Sequence, residues 1–138
     1  MRPLPLMSPA LDPDLAAAIT AAYDKQAENL VALDVSKLCS FTGFIVICHG
    51  NSTRHVDTIA ETVRRTLKER GRRPHHVEGM ARSEWVLMDY LDFVLHVFLA
   101  EKRQFYALEH LWGDARRLDL SRLPGASTPT STAGGSPA

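Results

Sequence analysis

The stretch that decides the fold is 78–112, which reads EGMARSEWVLMDYLDFVLHVFLAEKRQFYALEHLW. Side chains alternate between two faces along 85–90 and again along 93–99, and this pattern predicts two strands. Only Leu91-Asp92 separates the strands, so they should form a hairpin. Because both faces of the hairpin are largely apolar, we expect it to lie inside a covered sheet.

Two polar side chains interrupt these apolar strands and need a physical reason, because burying an unpaired polar group is costly. Asp89 is predicted to make a fixed polar contact at the sheet surface. His96, between Val94 and Phe98, fits either a hydrogen-bonded core histidine or a residue that contacts a partner. After the hairpin, helical spacing of apolar residues predicts a last helix over about 101–112.

Five elements are predicted before the hairpin. They are a helix over about 13–27 capped by Asp12, strands over 30–35 and 44–48, a helix capped by Ser52 or Thr53 and stopped by Gly71, and a short outer strand over 75–77. The element order is therefore α-β-β-α-β-β-β-α. We predict a single α/β domain with a mixed sheet of about five strands, helices packed on it, and a right-handed crossover around 44–77.

Composition divides the chain into three parts. Residues 1–11 read as a flexible arm, 12–115 as the folded domain, and 116–138, rich in Ser, Thr, Gly, Pro and Ala, as a disordered tail. The 16 basic and 16 acidic residues balance, so any electrostatic partner must meet a local patch. Without an apolar run of about 20 residues or a recognisable signal segment, we expect a cytoplasmic protein that does not enter membranes.

Cysteine and histidine spacing does not match a metal site. Cys39 and Cys48 form no CxxC pair and are predicted to be reduced thiols. Adjacent His75 and His76 would point to opposite faces of a strand, so they do not ligate one ion easily. No cysteine or histidine pair has a zinc spacing, and we predict neither a metal nor a cofactor.

Three carboxylates raise the alternative of an enzyme acting on nucleotides. Asp89 and Asp92 form a D-x-x-D pair and Asp34 ends a strand, as acids that hold Mg²⁺ against a triphosphate would. However, no Gly-Ser signature precedes a close D-x-D pair, and the turn at Gly50 lacks the lysine of a P-loop. The prediction is a protein without catalytic residues.

Seven segments agree with one family in order and spacing. They are A-L-D-V at 32–35, F-I-V-I-C-H-G-N-S-T-R-H-V at 44–56, I-A at 59–60, E-G at 78–79, W-V-L-M-D-Y at 85–90, H-V-F at 96–98 and R-x-F-Y-x-L-E-x-L-W at 103–112. Together, over roughly residues 24 to 113, they resemble the Iojap-like ribosomal silencing factors. Two residues depart from that family's pattern. The family usually has Gly where this chain has Leu91, and an acid where this chain has Gly43.

The resemblance implies both a fold and a function. It implies a nucleotidyltransferase-like core. Such proteins bind a large-subunit ribosomal protein on the face toward the small subunit, block subunit joining and lower translation when nutrients are scarce. Organellar relatives assist large-subunit assembly, which is the alternative function. A homodimer of the free protein through the same face is a further expectation.

Site residues are predicted on the hairpin and its flanks. Trp85 is the expected anchor, since an indole near a loop edge is a frequent interface residue, although it could instead fill core under the last helix. The other predicted partner-binding residues are Glu78 and Asp89 as acceptors for basic side chains, with Arg82, Tyr90 and Arg103 at the rim.

A basic run at 64–73 is the second candidate surface. It holds six basic residues and one acid at a helix end, where the helix dipole favours cations, so a solvated helix end is one reading. The other is a contact with ribosomal RNA through Arg64, Arg65, Lys68 and Arg72. Because no aromatic residues interleave with these cations, stacking on bases is not expected.

Overall fold

The computed structural model describes residues 12–38, 40, 42–102 and 115–120. In chain order these residues form α1 (Pro13–Asp24), β1 (Glu28–Asp34), β2 (Phe44–Gly50), α2 (Thr53–Glu69), β3 (His76–Glu78), β4 (Trp85–Asp89), β5 (Phe93–Leu99) and β6 (Arg116–Arg117). The predicted order of the first seven elements is confirmed. Of the helix predicted over 101–112, residues 100–102 are helical and 103–112 lie outside the described residues.

One mixed sheet carries the domain, in the strand order β3-β4-β5-β2-β1-β6. Only β2 and β5 pair in parallel, over seven residues each from Phe44↔Phe93 to Gly50↔Leu99. The other neighbours are antiparallel. β3 is an edge strand, as predicted, and the pairing places β4 and β5 between it and β2.

The prediction of five strands was wrong, because the described residues form six. β6 pairs with the end of β1 through Leu33↔Arg117 and Asp34↔Arg116. Leu118 extends the contact by donating its N–H to the carbonyl of Ala32 at 2.9 Å. Residues 116–120 therefore belong to the folded domain and not to the tail. A two-residue strand of arginines has no apolar alternation, so no pattern could indicate it. The nucleotidyltransferase-like relation stays a prediction.

Both described helices pack on one face of the sheet. Asp12 caps α1 by accepting the N–H of Asp14 at 2.8 Å, and Ser52 caps α2 by accepting the N–H of His55 at 3.1 Å. The α2 stripe, which consists of Val56, Ile59, Ala60, Val63 and Leu67, is fully buried. Burial of these apolar side chains stabilises the packing of α2 on the sheet, at about 25 cal/mol per Å² of apolar surface. Among the described residues, no helix is both long and apolar enough to cross a bilayer.

The β4–β5 turn takes a conformation that a leucine rarely adopts. Leu91 has φ 73°, and the N–H of Asp92 bonds the carbonyl of Tyr90 at 2.9 Å, which makes a γ-turn centred on Leu91. Three further bonds hold the turn: Asp89 Oδ1 accepts the N–H of Leu91 at 2.8 Å, Gly43 N–H donates to the carbonyl of Asp92, and Tyr90 N–H to that of Phe93. The hairpin therefore keeps its two-residue turn, with backbone strain at the positive φ of Leu91.

Replacing Leu91 by Gly should stabilise the domain. A non-glycine residue at positive φ costs about 1–2 kcal/mol, whereas glycine costs about 0.5–1 kcal/mol in extra entropy of the unfolded chain. Leu91 is 55% exposed, so little buried surface is lost. We expect Leu91→Gly to raise the free energy of unfolding by about 0.5–1 kcal/mol in urea titrations. Leu38→Gly is the control, because Leu38 is similarly exposed at 49% without positive φ, and it should lower stability. A lower stability of Leu91→Gly would contradict strain at the turn.

Candidate functional site

The face of the sheet opposite the helices carries an aromatic cluster at its centre. β4 contributes Trp85, Leu87 and Asp89, all half-buried, while β5 contributes the buried residues His96 and Phe98. We call these five residues the Trp85 face. The predicted assignment of β4 and β5 side chains to two faces is confirmed, since Val86, Met88 and Tyr90 lie in the helix-covered core. The expectation that the hairpin is covered on both faces is not confirmed, because the Trp85 face is only half-buried along β4.

Trp85 is fixed by its neighbours on β5. Its ring stacks on Phe98 with centroids 5.0 Å apart, and its Nε1–H donates to Nδ1 of His96 at 3.0 Å. The hydrogen bond meets the cost of placing a histidine in an apolar strand, so the hydrogen-bonded core reading of His96 is confirmed. Because two of its contacts are with rigid rings, the indole is held in one orientation before any partner arrives, which favours a role as an anchor.

Burial keeps His96 neutral. Desolvation lowers its pKa to about 4, since a charged imidazolium is poorly solvated inside the sheet. Nδ1 accepts from the indole of Trp85, so the ring proton of the neutral tautomer sits on Nε2. A proton on Nδ1 would remove this acceptor of the indole N–H.

Gly79 allows Trp85 to start its strand where it does. A Cβ at Gly79 would fall 1.9 Å from the backbone oxygen of Trp85, and the residue has φ 87°. The carbonyl of Gly79 also accepts the N–H of Ser83 at 2.9 Å, which closes the loop 80–83 beneath the strand. Gly79 is the glycine of the E-G motif in the family resemblance. The fold explains this glycine, because it brings the backbone of Gly79 against the backbone of Trp85.

Asp89 belongs to the Trp85 face, and Glu78 lies beside that face on the same side of the sheet. Glu78 pairs with Leu87 across the β3–β4 ladder, and its carboxylate is 67% exposed and bonded to His76 at 2.5 Å. Asp89 uses one oxygen to hold the turn through Leu91. Both can still accept bonds from a partner, with Asp89 the more constrained of the two.

The remaining predicted rim residues differ in position. Arg82 is 80% exposed in the loop before β4, with Glu84 3.7 Å away. Tyr90 does not lie at the rim: it is 2% exposed on the helix-covered side and stacks on Phe93. Burial raises the pKa of Tyr90 to about 12. Because side chains alternate along a strand, Tyr90 points to the other face of the sheet from its neighbour Asp89 and so does not belong to the Trp85 face. Arg103 lies outside the described residues.

Arg72 has a structural role instead of the predicted RNA contact. Its guanidinium donates to Asp14 at 2.8 Å and to the carbonyl of Tyr90 at 2.9 Å, and it lies 5.7 Å above the ring of Phe93. Arg70 donates to the same Asp14 at 2.6 Å, and this bond, against the opposing effect of burial, lowers the pKa of Asp14 with help from Arg72. The two arginines thus join the start of α1 to the end of α2 and to the hairpin turn.

The three acids of the nucleotidyltransferase alternative serve local structure. Asp34 accepts the hydroxyl of Ser36 at 2.6 Å, Asp89 holds the turn, and Asp92 lies 3.5 Å from Arg72. Burial works to raise the pKa of Asp34, and the Ser36 hydrogen bonds outweigh it to lower that pKa. Within the described ranges, no three His, Cys, Asp or Glu side chains gather as metal ligands. Cys48 is buried and forms no disulfide within these ranges, and Cys39 lies outside them.

The fold and this face define a small α/β domain that presents a fixed, half-buried indole on the side of its sheet away from α1 and α2. The family model described as "Ribosomal silencing factor during starvation" matches residues 9–136. The chain therefore belongs to the ribosomal silencing factor family, as the sequence motifs indicated.

Individual relatives agree with this assignment. The chain is 41% identical over 103 residues to the ribosomal silencing factor of Halalkalibacterium halodurans, covering 75% of this chain and 88% of that protein. A crystal structure of a Chromobacterium violaceum protein aligns with a TM-score of 0.71 and 33% identity, covering 83% and 96% of the two chains. A mouse protein named "Mitochondrial assembly of ribosomal large subunit protein 1" is 28% identical, and the match covers 72% of this chain and 45% of that protein.

Acid should destabilise the domain through His96. Its folded pKa of about 4 lies below the unfolded value of about 6.5, so the unfolded chain binds more protons between these values. Stability is therefore complete above pH 6.5 and falls by about 3 kcal/mol as pH drops toward 4. His96→Asn keeps an acceptor near the indole but does not titrate. The difference between the two proteins in urea titrations at pH 7 and pH 4 should equal this loss, and equal pH dependence would contradict it.

Gly79→Ala should disrupt the site's support. The new methyl would overlap the Trp85 backbone at positive φ, so we expect a loss of more than about 3 kcal/mol in unfolding free energy. Gly71→Ala is the matched control: Gly71 has φ 83°, but nothing lies within 4 Å of its added Cβ, and the loss should be about 1 kcal/mol. Equal losses in thermal or urea melts would show that close approach to Trp85 carries no cost.

Proposed function

We propose that this protein is a cytoplasmic ribosomal silencing factor whose Trp85 face binds a large-subunit ribosomal protein at the intersubunit surface and so blocks joining of the small subunit. Repression of translation under nutrient limitation then follows from steric exclusion. The family match over residues 9–136 is the observation that carries this proposal. It needs no chemical step and no cofactor.

The geometry supports the Trp85 face as the docking surface. Trp85 is half-buried and braced by Phe98 and His96, so binding a partner costs little side-chain entropy at the anchor. Around it, Leu87 adds apolar surface, and Glu78 supplies an exposed carboxylate that can meet basic side chains of a ribosomal protein. An apolar centre with a charged rim is the usual composition of such an interface.

Steric blocking requires only a moderate interface. A standard protein–protein interface buries about 1,600 Å² in total, or about 800 Å² on each partner. The Trp85 face and its flanks, from Glu78 through the exposed loop residue Arg82, extend along β3 and β4 and can provide a patch of this kind. The rest of the domain then occupies space beside the partner, where it obstructs an approaching small subunit.

A second candidate function is large-subunit assembly, which the name of the mouse relative favours. Both functions use binding to the large subunit, so the surface is the same and the timing differs. Cells lacking the protein should accumulate large-subunit precursors if assembly is the main role. Normal precursor levels with excess joined ribosomes in starved cells would favour silencing.

Trp85→Ala should weaken binding to purified large ribosomal subunits by about 30-fold or more, since truncation of a central anchor costs about 2 kcal/mol. Co-sedimentation measures the binding, and sucrose gradients of mixed subunits measure the lost block on joining. Leu38→Ala is the control, because Leu38 is an exposed leucine in the β1–β2 loop, outside the Trp85 face. Circular dichroism and urea titration verify the fold of both variants. Unchanged binding of a folded Trp85→Ala protein would remove Trp85 from the interface.

A further inference from the structure

We propose that the cationic end of α2 binds the phosphate backbone of ribosomal RNA while the Trp85 face holds its protein partner. We call this surface the α2 patch and define it as Arg64, Arg65 and Lys68. The inference rests on the proposed function, because it adds a second contact to the same ribosome-bound state. The resulting complex has two attachment points of different chemistry.

Position is the first argument. Val63 and Leu67 on α2 are fully buried against the sheet, while Arg64, Arg65 and Lys68 are exposed. The α2 patch thus belongs to the helix layer, and the Trp85 face belongs to the opposite side of the sheet. Two surfaces on opposite layers of one domain can be occupied at the same time, so neither partner displaces the other.

The second argument is how the structure divides the basic run 64–73. Arg70 and Arg72 both pair with Asp14, at 2.6 and 2.8 Å, and Arg72 also lies 3.5 Å from Asp92, so carboxylates of the domain already engage these two cations. By contrast, in the described part of the chain no carboxylate lies within ion-pair distance of the three residues of the α2 patch. The α2 patch is therefore a separate group of exposed cations on the surface of α2.

The helix dipole does not account for the whole group. Cations near a helix C-terminus are favoured by about 0.3–1 kcal/mol, and this effect falls off within the last turn. Lys68 lies in the last turn of α2, but Arg64 and Arg65 lie a turn further from its end at Glu69. They also repel Lys68 at these helical spacings. An external polyanion would relieve that repulsion.

Phosphate is the anion that this chemistry fits. The guanidinium groups of Arg64 and Arg65 can each donate two parallel hydrogen bonds to phosphate oxygens, and Lys68 adds a point charge. The described exposed residues beside the patch include no aromatic side chain on α2 that could stack on a base. We therefore expect contacts with the RNA backbone that are independent of base sequence.

Salt dependence of binding tests the proposal. The triple variant Arg64→Gln/Arg65→Gln/Lys68→Gln and the wild type are titrated against purified large ribosomal subunits between 50 and 200 mM salt. Each lost phosphate contact lowers the slope of log K against log salt by about 0.7–0.9, so the triple variant should show a slope smaller by about 2–3. Its affinity should fall most at low salt.

The matched control removes the same number of charges elsewhere. Lys25→Gln/Lys37→Gln/Arg54→Gln changes three exposed cations outside the α2 patch and should leave the slope near that of the wild type. If the slope fell equally in both triple variants, the effect would come from net charge and not from the α2 patch, and the proposal would be overturned. An unchanged slope in the α2 variant would also overturn it.

A photocrosslinker at position 65 identifies the partner class. Label transferred to ribosomal RNA supports the proposal, and label confined to a ribosomal protein overturns it. The two proposals fail differently. If the wild type does not sediment with large subunits, the proposed function is wrong and the inference falls with it. If the wild type and the Trp85→Ala variant behave as proposed but the α2 slope does not change, only the inference is wrong.

Discussion

The parallel pairing of β2 with β5 is the constraint on which the rest of the structure depends. Seven residues of each strand align from Phe44↔Phe93 to Gly50↔Leu99, and both strands are buried almost throughout. Parallel neighbours require a crossover, and α2, β3 and β4 provide it. That route puts α2 on one face of the sheet and returns β4 antiparallel beside β5. The Trp85 face exists because β4 ends up next to this central pair.

A buried polar side chain needs a hydrogen-bond partner, and in this site the hydrogen bond that satisfies it also holds Trp85 in place. His96 on β5 is 8% exposed, and it is satisfied by the indole of Trp85, while Gly79 lets the backbone of the preceding loop approach Trp85 closely. An anchor held by a hydrogen bond, a ring stack and a backbone contact needs little ordering when it binds. In the proposed function, stability and recognition therefore depend on the same few contacts.

Charge in this neutral protein is divided by location. The exposed Arg70 and the half-buried Arg72 both pair with Asp14, and these links connect α1, the end of α2 and the hairpin turn. Cations only one or two turns earlier on α2 remain at the surface. Neighbouring residues of one basic run thus differ in role. Arg70 and Arg72 follow the end of α2 at Glu69 and pair with Asp14 of α1, whereas the cations within α2 lie on its exposed side.

The sequence by itself determined the order of the first seven elements, the cap at Asp12, the two faces of the hairpin and the family, because periodicity, capping and motif spacing are local properties. It also indicated Trp85 and the need for a partner at His96. Only the tertiary structure decided that the partner is Trp85, that Tyr90 is buried, that Arg72 is internal and that Arg116–Arg117 add a sixth strand. Each of these depends on segments that are far apart along the chain, and the pairing of such segments is set by how the whole core packs, which no local pattern encodes.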